Sequence, residues 1–181
     1  MDRPSNSQLR KLVGIGNYQF GRGVGAVLFD KKVRIECSRR TGRIRYVYAQ
    51  DRLIATLRAK DGCLALTPFG ASIILSKIEN APNVVVVQSD VAEAVRAGGD
   101  VFAKHVVQAD RELRPAEEVI VTDEEGLLLG VGFAVLSGRE MPAFKRGVAV
   151  KLRTGSDQVV GVAAHASAKP VRTPLSPPRQ A

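Results

Sequence analysis

Apolar residues recur at helical spacing near the start of the chain and at alternate positions further along. Residues 7–28 have the helical period, which predicts a first helix that begins with Ser7 as N-cap, ends near two glycines and resumes after them. From Val33 the period changes to two, and Thr41-Gly42 supplies the turn between two alternating runs. A further helix is predicted after Thr67, because the next residue is a proline suited to a first helical turn. The pattern therefore predicts helices packed on an antiparallel meander.

A second alternating region follows the segment ENAPN, which is interpreted as a linker. It contains a buried strand VVVV, a short helix that ends at Gly98-Gly99, and several more strands. The sequence DEEG between two of them predicts a hairpin with Gly126 at positive φ. Many short strands with one small helix are typical of a compact barrel. The predicted fold class is α+β, with a helix-plus-antiparallel-sheet domain at residues 1–80, a β pseudo-barrel at residues 82–153, and a disordered proline-rich tail at residues 166–181.

Positive charge is concentrated in the first third of the chain. The net charge is +9, and residues 1–60 hold 14 Lys and Arg against 4 Asp and Glu, a net of +10. Residues 34–58 contain seven arginines and no lysine, with only two acidic residues among them. A directional basic surface favours a polyanionic partner, and the planar fork of arginine suits bidentate phosphate contacts. A solvated hairpin face is the alternative interpretation.

The strand RIRYVY is the centre of this basic region. Strict alternation places its two arginines on one face and Ile44, Tyr46 and Tyr48 on the other face, which is predicted to lie against the core. Two further arginines lie across the turn. The predicted polyanion-binding residues of the hairpin are Arg39, Arg40, Arg43 and Arg45.

The sequence contains no recognisable catalytic or metal-binding constellation. The segment GRGVGA matches the dinucleotide fingerprint G-x-G-x-x-A, but helical sequence precedes it and a meander follows, so close helix packing is the preferred interpretation. Two histidines and two cysteines form no recognisable catalytic or four-ligand metal site, and no cofactor and no metal is predicted. The apolar runs are shorter than the roughly 20 residues that span a bilayer. Because the N-terminus also has no apolar signal region, a cytoplasmic location is predicted.

Four elements of the second half occur in a recognisable order: VFAKHVV, LRPAEEVIV, GVGFAVLSGREM and FKRGVAVK. Together they resemble a PUA domain, the small pseudo-barrel found on pseudouridine synthases and archaeosine transglycosylases. The segment from YQFGRGVGAVLF to LTPFGA is similar to the domain that precedes PUA in archaeosine tRNA-guanine transglycosylase. The chain looks most like the stand-alone archaeal two-domain PUA proteins. Ala116 departs from the family pattern, which commonly has glycine there.

The resemblance implies an RNA-binding protein that binds tRNA or another structured RNA near its acceptor or 3′ end and has an accessory role in RNA modification. The implied contacts come from the short helix, the glycine loop after it and the last strands. In this sequence the implied RNA-binding residues are Gly98, Gly99, Val101, Lys104, Arg139, Lys145, Arg146 and Lys151. Enzymes that carry PUA domains hold their catalytic aspartates in separate, larger domains, so this chain is not expected to be an enzyme by itself.

The expected partner is RNA, with tRNA in the first place, and neither DNA nor a membrane is expected. Three alternatives stay open. The chain could be a subunit that delivers RNA to a separate transglycosylase- or pseudouridine-synthase-type enzyme, or it could be an enzyme with an unrecognised site. A membrane-surface role ranks last, because the arginines lie on predicted strands rather than on a basic amphipathic helix.

Overall fold

The structure, a computed structural model, describes residues 1–158, so the predicted tail at 166–181 lies outside the described residues. The helices are α1 (Asn6–Phe20), α2 (Val24–Leu28), α3 (Pro68–Lys77) and α4 (Ala92–Arg96). The strands are β1 (Arg34–Cys37), β2 (Ile44–Ala49), β3 (Arg52–Leu57), β4 (Leu64–Leu66), β5 (Val84–Val87), β6 (Val101–Phe102), β7 (Val106–Ala109), β8 (Glu118–Thr122), β9 (Leu128–Ala134) and β10 (Val148–Gly155). The predicted α+β architecture, with helices on an antiparallel sheet followed by a barrel, is confirmed.

α1 begins earlier and extends further than the sequence pattern predicts. Its N-cap is Ser5 rather than Ser7. The Gln8 amide donates to the Ser5 hydroxyl at 3.2 Å, and the Ser5 amide donates to the Gln8 side chain at 2.8 Å, which completes a capping box. The helix does not stop at its glycines but continues to Phe20.

The glycines of the first two helices allow those helices to cross closely. A Cβ on Gly16 would lie 2.7 Å from Gly25 Cα, and a Cβ on Gly25 would lie 2.1 Å from the carbonyl oxygen of Val13. The Asn17 side chain accepts the Gly25 amide at 2.9 Å and thereby fixes the start of α2. The interpretation of GRGVGA as a helix-packing segment is confirmed.

β1 to β4 form an antiparallel sheet in sequence order. Its core face is a row of four paired, buried residues, Ile35, Val47, Ala55 and Leu66. Cys37 pairs with Ile44, and Leu57 pairs with Leu64. The β1–β2 and β3–β4 turns therefore lie at the same end of the sheet, which we call the hairpin end, and the β2–β3 turn lies at the opposite end.

The six remaining strands form a sheet in the order β6-β10-β9-β8-β5-β7, which curls into a nearly closed barrel. Every pairing is antiparallel except that of β5 with β8. The run VFAKHVV, predicted as one strand, is two strands separated by a 3-10 turn at Ala103–His105, and this turn connects the two edges of the sheet. Gly126 has the predicted positive φ of 80°, and Ala116 has a φ of 70°, a region that glycine adopts without strain.

The two parts of the molecule are joined by a buried carboxylate, Glu118 of β8. Its Oε1 accepts the Leu66 amide at 2.8 Å, and both of its oxygens accept from the Arg153 guanidinium. Arg153 also donates to the Leu66 carbonyl at 2.7 Å. Burial raises the pKa of Glu118 above its ordinary value, against the opposite effect of Arg153. This junction fixes β4 of the sheet against the outside of the barrel.

Candidate nucleic-acid interface

The arginine hairpin forms as predicted. The Ser38 amide donates to the Arg43 carbonyl and the Gly42 amide donates to the Ser38 carbonyl, both at 2.8 Å, and Gly42 has a φ of 65°. Arg39, Arg40 and Arg43 are exposed on this turn. The Thr41-Gly42 turn is therefore confirmed, and it presents three guanidinium groups at the hairpin end.

The predicted alternation along β2 is wrong, because a bulge interrupts it. Tyr46 pairs with Glu36 while Ile44 pairs with Cys37, so Arg45 is an additional residue between two paired positions. After the bulge the faces are exchanged: Val47 is buried in the core, and Tyr46 and Tyr48 lie half-buried on the outer face of the sheet. Arg34, Glu36 and the half-buried Arg45 lie on the same outer face. The tyrosines thus accompany the cations instead of facing the core.

Tyr48 is held on this outer face by a neighbouring carboxylate. Its hydroxyl donates to Glu36 at 3.4 Å. Burial, and then the charge of Glu36, raises the pKa of Tyr48 above 10.0. The phenol therefore stays neutral and serves as a hydrogen-bond donor.

A second hairpin of the same design adds cations that the sequence analysis did not assign to a site. The Arg58 amide donates to the Cys63 carbonyl at 2.8 Å, and the Gly62 amide donates to the Arg58 carbonyl at 3.0 Å. Gly62 has a φ of 72°, close to that of its counterpart in the first hairpin. Lys60 is exposed on this turn. The repeated turn chemistry, R-x-x-D-G-C after S-x-x-T-G-R, is a signal in the sequence that could have identified it.

The hairpin end is weakly neutralised. Arg58 pairs with Asp61 at 3.2 Å. The Cys63 amide, and then the Arg58 guanidinium, lowers the pKa of Asp61 below its ordinary value. Within residues 1–158, none of the four arginines predicted in the first hairpin forms an ion pair. Positive charge on this surface is consequently available to an external anion.

The glycine loop after α4 is packed against the last described residues. Gly98 has a φ of 105°, and a Cβ there would lie 2.4 Å from the Gln158 side chain, which donates to the Ala97 carbonyl at 3.0 Å. Gly99 is exposed, whereas the whole Val101 residue is only 1% exposed. A ligand can therefore reach Gly99 directly and Gly98 in part, whereas the whole of Val101 is covered by its neighbours.

Three of the predicted lysines and arginines of the barrel lie close together. The Ala103 amide donates to the Gly147 carbonyl at 2.9 Å. Lys104 and Arg146 are each next to a residue of this hydrogen bond, and Lys145 is one position further away. All three side chains are exposed. They form a basic group where β6 meets β10.

The remaining two predicted cations of the barrel lie apart from each other. Lys151 is exposed on β10, directly opposite Phe133 of β9. Arg139 pairs with Glu112 at 3.4 Å and, with Arg111, lines a groove of about 560 Å³. The implied RNA-binding residues of the barrel are thus distributed over the glycine loop, the basic group and two separate positions.

Exposed aromatic residues lie among these cations, and the sequence analysis did not assign them. Phe102 is 47% exposed, Phe144 is 46% exposed and Phe133 is 36% exposed. Phe144 directly precedes Lys145, and Phe102 is two residues before Lys104. An aromatic residue beside a pair of cations in a loop, as in FKRG, is the signal that was available, because bases stack on such rings.

Two further properties concern the described part of the chain alone. No helix in residues 1–158 has the length and apolar character needed to cross a membrane. The same residues contain no group of three or more His, Cys, Asp or Glu side chains that could hold a metal ion. The expectation that the protein uses no metal stays a prediction.

Known families match both parts of the molecule. Residues 10–80 match the patch-forming domain C2 of tRNA-guanine transglycosylase, and residues 83–155 match the PUA domain. The chain is 39% identical over 153 residues to tRNA-guanine(15) transglycosylase of Methanobrevibacter smithii, and 40% identical over 151 residues to that of Thermoplasma acidophilum. These matches cover 84% and 83% of this chain but only 23% and 24% of the relatives. The chain therefore spans about a quarter of the length of these relatives.

Solved structures share the fold at lower sequence identity. A hypothetical protein of Pyrococcus horikoshii OT3 superimposes with a TM-score of 0.72 at 22% identity, over 89% of this chain and 98% of that one. A PUA-domain structure from Aeropyrum pernix K1 gives a TM-score of 0.63 at 17% identity, over 89% of this chain and 86% of that one. With the sheet, the barrel and both family matches in agreement, the chain joins a C2 domain of the tRNA-guanine transglycosylase type to a PUA domain.

Proposed function

We propose that this chain binds structured RNA, tRNA in the first place, near the acceptor or 3′ end, and that it serves RNA modification. The observation that carries this proposal is the similarity to tRNA-guanine(15) transglycosylases over 84% of the chain, through a C2 domain and a PUA domain. The exposed, unpaired arginines of the first hairpin support it independently, because phosphate contacts supply most of the salt-dependent affinity of nucleic-acid-binding proteins.

In the proposed mechanism, the two parts of the molecule contact different features of the RNA. The hairpin end neutralises phosphates along a duplex. The barrel receives an unpaired terminus at Gly99 and the basic group, where exposed aromatic rings offer stacking surfaces. The junction at Glu118 holds the two surfaces in one arrangement, so shape and end geometry, rather than base sequence, are recognised.

The chemistry of RNA modification is proposed to lie outside this chain. The chain matches the C-terminal, PUA-type region of the transglycosylases and about a quarter of their length. Delivery of RNA to a separate modification enzyme therefore agrees with the same matches. Recovery of such an enzyme with the chain from native extract would identify that role, whereas loss of a chemical group from RNA incubated with pure protein would identify an unrecognised active site.

The proposal is tested by the binding of fluorescent tRNA, intact or trimmed of its 3′ single-stranded end, across a salt series. Trimming is expected to weaken binding. Each of two double variants removes two cations that are proposed to contact phosphate. Arg43→Glu/Arg45→Glu, on the duplex, is expected to reduce the salt slope by about 1.8, and Lys145→Glu/Arg146→Glu, on the unpaired terminus, by about 1.4. The second variant is also expected to bind intact and trimmed tRNA more equally, because it removes the contacts to the terminus.

A matched control is available at the opposite end of the sheet. Lys31→Glu/Lys32→Glu makes the same change of charge, and both side chains are exposed just before β1. This variant is expected to retain most of the salt slope. Equal effects of all three double variants, together with no effect of trimming, would show a general basic surface and contradict the proposed sites.

A further inference from the structure

Tyr18 of α1 is 86% exposed, although Phe20 on the same helix is buried. Helical side chains lean toward the preceding turn, which for Tyr18 contains Gly14. No neighbouring atom lies within 4 Å of where a Cβ of Gly14 would be. Packing does not require this glycine, and glycine is less stable than alanine inside a helix. The Tyr18 side chain itself extends into solvent, so its ring is open to a ligand.

The end of α1 that carries Tyr18 lies at the hairpin end of the sheet. The Gln19 side chain donates to the Leu64 carbonyl at 3.1 Å, and the Leu64 amide donates back to the Gln19 side chain. Leu64 directly follows the β3–β4 turn. Tyr18 is therefore one residue from a contact that holds α1 against the second hairpin.

The surroundings of this ring are strongly basic. α1 contains Arg10 and Lys11 and no acidic residue. Three turns meet at or near the hairpin end, and in sequence they read GRG, SRRTGR and RAKDGC. Their cations are Arg22, Arg39, Arg40, Arg43, Arg58 and Lys60. Asp61 is the single acidic residue among these three turns, and it pairs with Arg58. This charge is complementary to phosphate.

We propose that Tyr18 stacks on an unpaired base of an RNA whose phosphates contact the hairpin end. Bases inside a duplex already stack on each other, so only an unpaired nucleotide offers a free face to the ring. The preferred ligand of this surface is thus a duplex with an adjoining unpaired segment. The inference rests on the proposed function and adds a base contact in the C2 domain to the terminus contact proposed for the barrel.

The test uses the full chain and an RNA hairpin with a short unpaired tail, made either with bases or abasic. The abasic tail keeps the phosphate charges and removes the stacking partner. Tyr18→Ala is expected to weaken binding to the tail with bases by roughly five-fold or more, and to leave binding to the abasic tail unchanged. Tyr18→Phe retains the ring and is expected to bind as the wild type does.

The outcomes separate this inference from the proposed function. If the wild type binds the tailed RNA and Tyr18→Ala binds it equally well, the stacking contact is overturned while RNA binding stands. If the wild type binds neither RNA nor tRNA, the proposed function itself has failed. A loss of binding by Tyr18→Ala that is equal for both tails would also overturn stacking, because the base would then make no contribution.

Fluorescence and a charge pair give readouts that a purely structural role would not produce. The chain has three tyrosines and no tryptophan, so Tyr46→Phe/Tyr48→Phe leaves Tyr18 as its only fluorescent tyrosine. The tailed RNA is expected to quench this emission, and unchanged emission at saturation would refute the contact. Lys60→Glu at the hairpin end is expected to weaken binding more than Lys32→Glu at the opposite end, whereas equal weakening would contradict the proposed location.

Discussion

Removal of the buried carboxylate at the junction, by Glu118→Ala, is expected to destabilise the protein. The side chain of Glu118 is fully buried, while that of Arg153 is 33% exposed. Breaking a buried ion pair by removal of one partner costs roughly 3–5 kcal/mol. Because Arg153 can reach water and keeps its hydrogen bond to the Leu66 carbonyl, the lower limit of about 3 kcal/mol applies here.

Urea unfolding with two probes measures this effect. All three tyrosines, at positions 18, 46 and 48, lie in the N-terminal part, so their fluorescence reports on that part, whereas circular dichroism reports on the whole chain. With a denaturant slope of roughly 2 kcal/mol/M, a loss of about 3 kcal/mol lowers the midpoint by about 1.5 M. The two probes are expected to give one shared transition in the wild type and one shared transition at lower urea in Glu118→Ala, because Ile120 and Val131 of the barrel remain packed in the core of the N-terminal part.

Two companion variants test whether the Glu118 carboxylate stabilises the junction. Glu118→Gln keeps an acceptor for the Leu66 amide and loses the charge, so it is expected to lose less stability than Glu118→Ala. Glu125→Ala removes an exposed carboxylate from the β8–β9 turn and is expected to change stability by less than about 0.5 kcal/mol. A Glu118→Ala protein whose midpoint matches that of Glu125→Ala would refute the assignment of the junction to this carboxylate.

Three further expectations concern backbone conformation and titration. Gly25→Ala should lower the free energy of unfolding by about 2 kcal/mol or more, because its Cβ would meet the Val13 backbone. Gly14→Ala places its Cβ where no neighbouring atom lies, so it should raise the free energy of unfolding by about 1 kcal/mol. A higher urea midpoint for Gly25→Ala than for Gly14→Ala would contradict the close crossing of α1 and α2. Ala116→Gly should raise thermal stability by about 0.5–1 kcal/mol, since φ is 70° there, and an unchanged melting temperature would show that the position is unstrained. The raised pKa of Tyr48 means that the folded state holds this proton more tightly, so stability falls as the pH rises past 10.0. Glu36→Gln should lower the pKa of Tyr48 part of the way to 10.0, as measured by ultraviolet titration. A titration curve identical to that of the wild type would contradict the contact between Tyr48 and Glu36.

The sequence predicts those parts of the fold and site that depend on local chemistry. The Thr41-Gly42 turn, the α3 N-cap at Thr67 and the packing role of GRGVGA each depend on residues close together in the chain. The N-cap of α1 could also have been predicted, because Ser5 and Gln8 have the S-x-x-Q spacing of a capping box. The alternation rule failed at Arg45 because a period of two cannot reveal an inserted residue.

The sequence pattern does not predict contacts between residues that are far apart in the chain. Leu66 and Glu118 are 52 positions apart in the chain, and a buried glutamate in a strand gives no signal of the partner it will find. The packing of Gln158 on the glycine loop is likewise a contact between distant residues, since Gln158 and Ala97 are 61 positions apart. The position of the end of α1 against the second hairpin depends on the sheet order and on Gln19, and the periodicity of the sequence contains neither.

Both outer edges of the four-stranded sheet are closed without a neighbouring strand. On β4, side chains of Gln19, Glu118 and Arg153 bind the backbone groups of Leu64 and Leu66. On β1, the backbones of Asp2 and Ile35 exchange two hydrogen bonds, of 2.9 and 2.8 Å. Open strand edges recruit other chains and promote aggregation. Removal of the first few residues would therefore expose the edge of β1, and self-association of the protein is the consequence expected first.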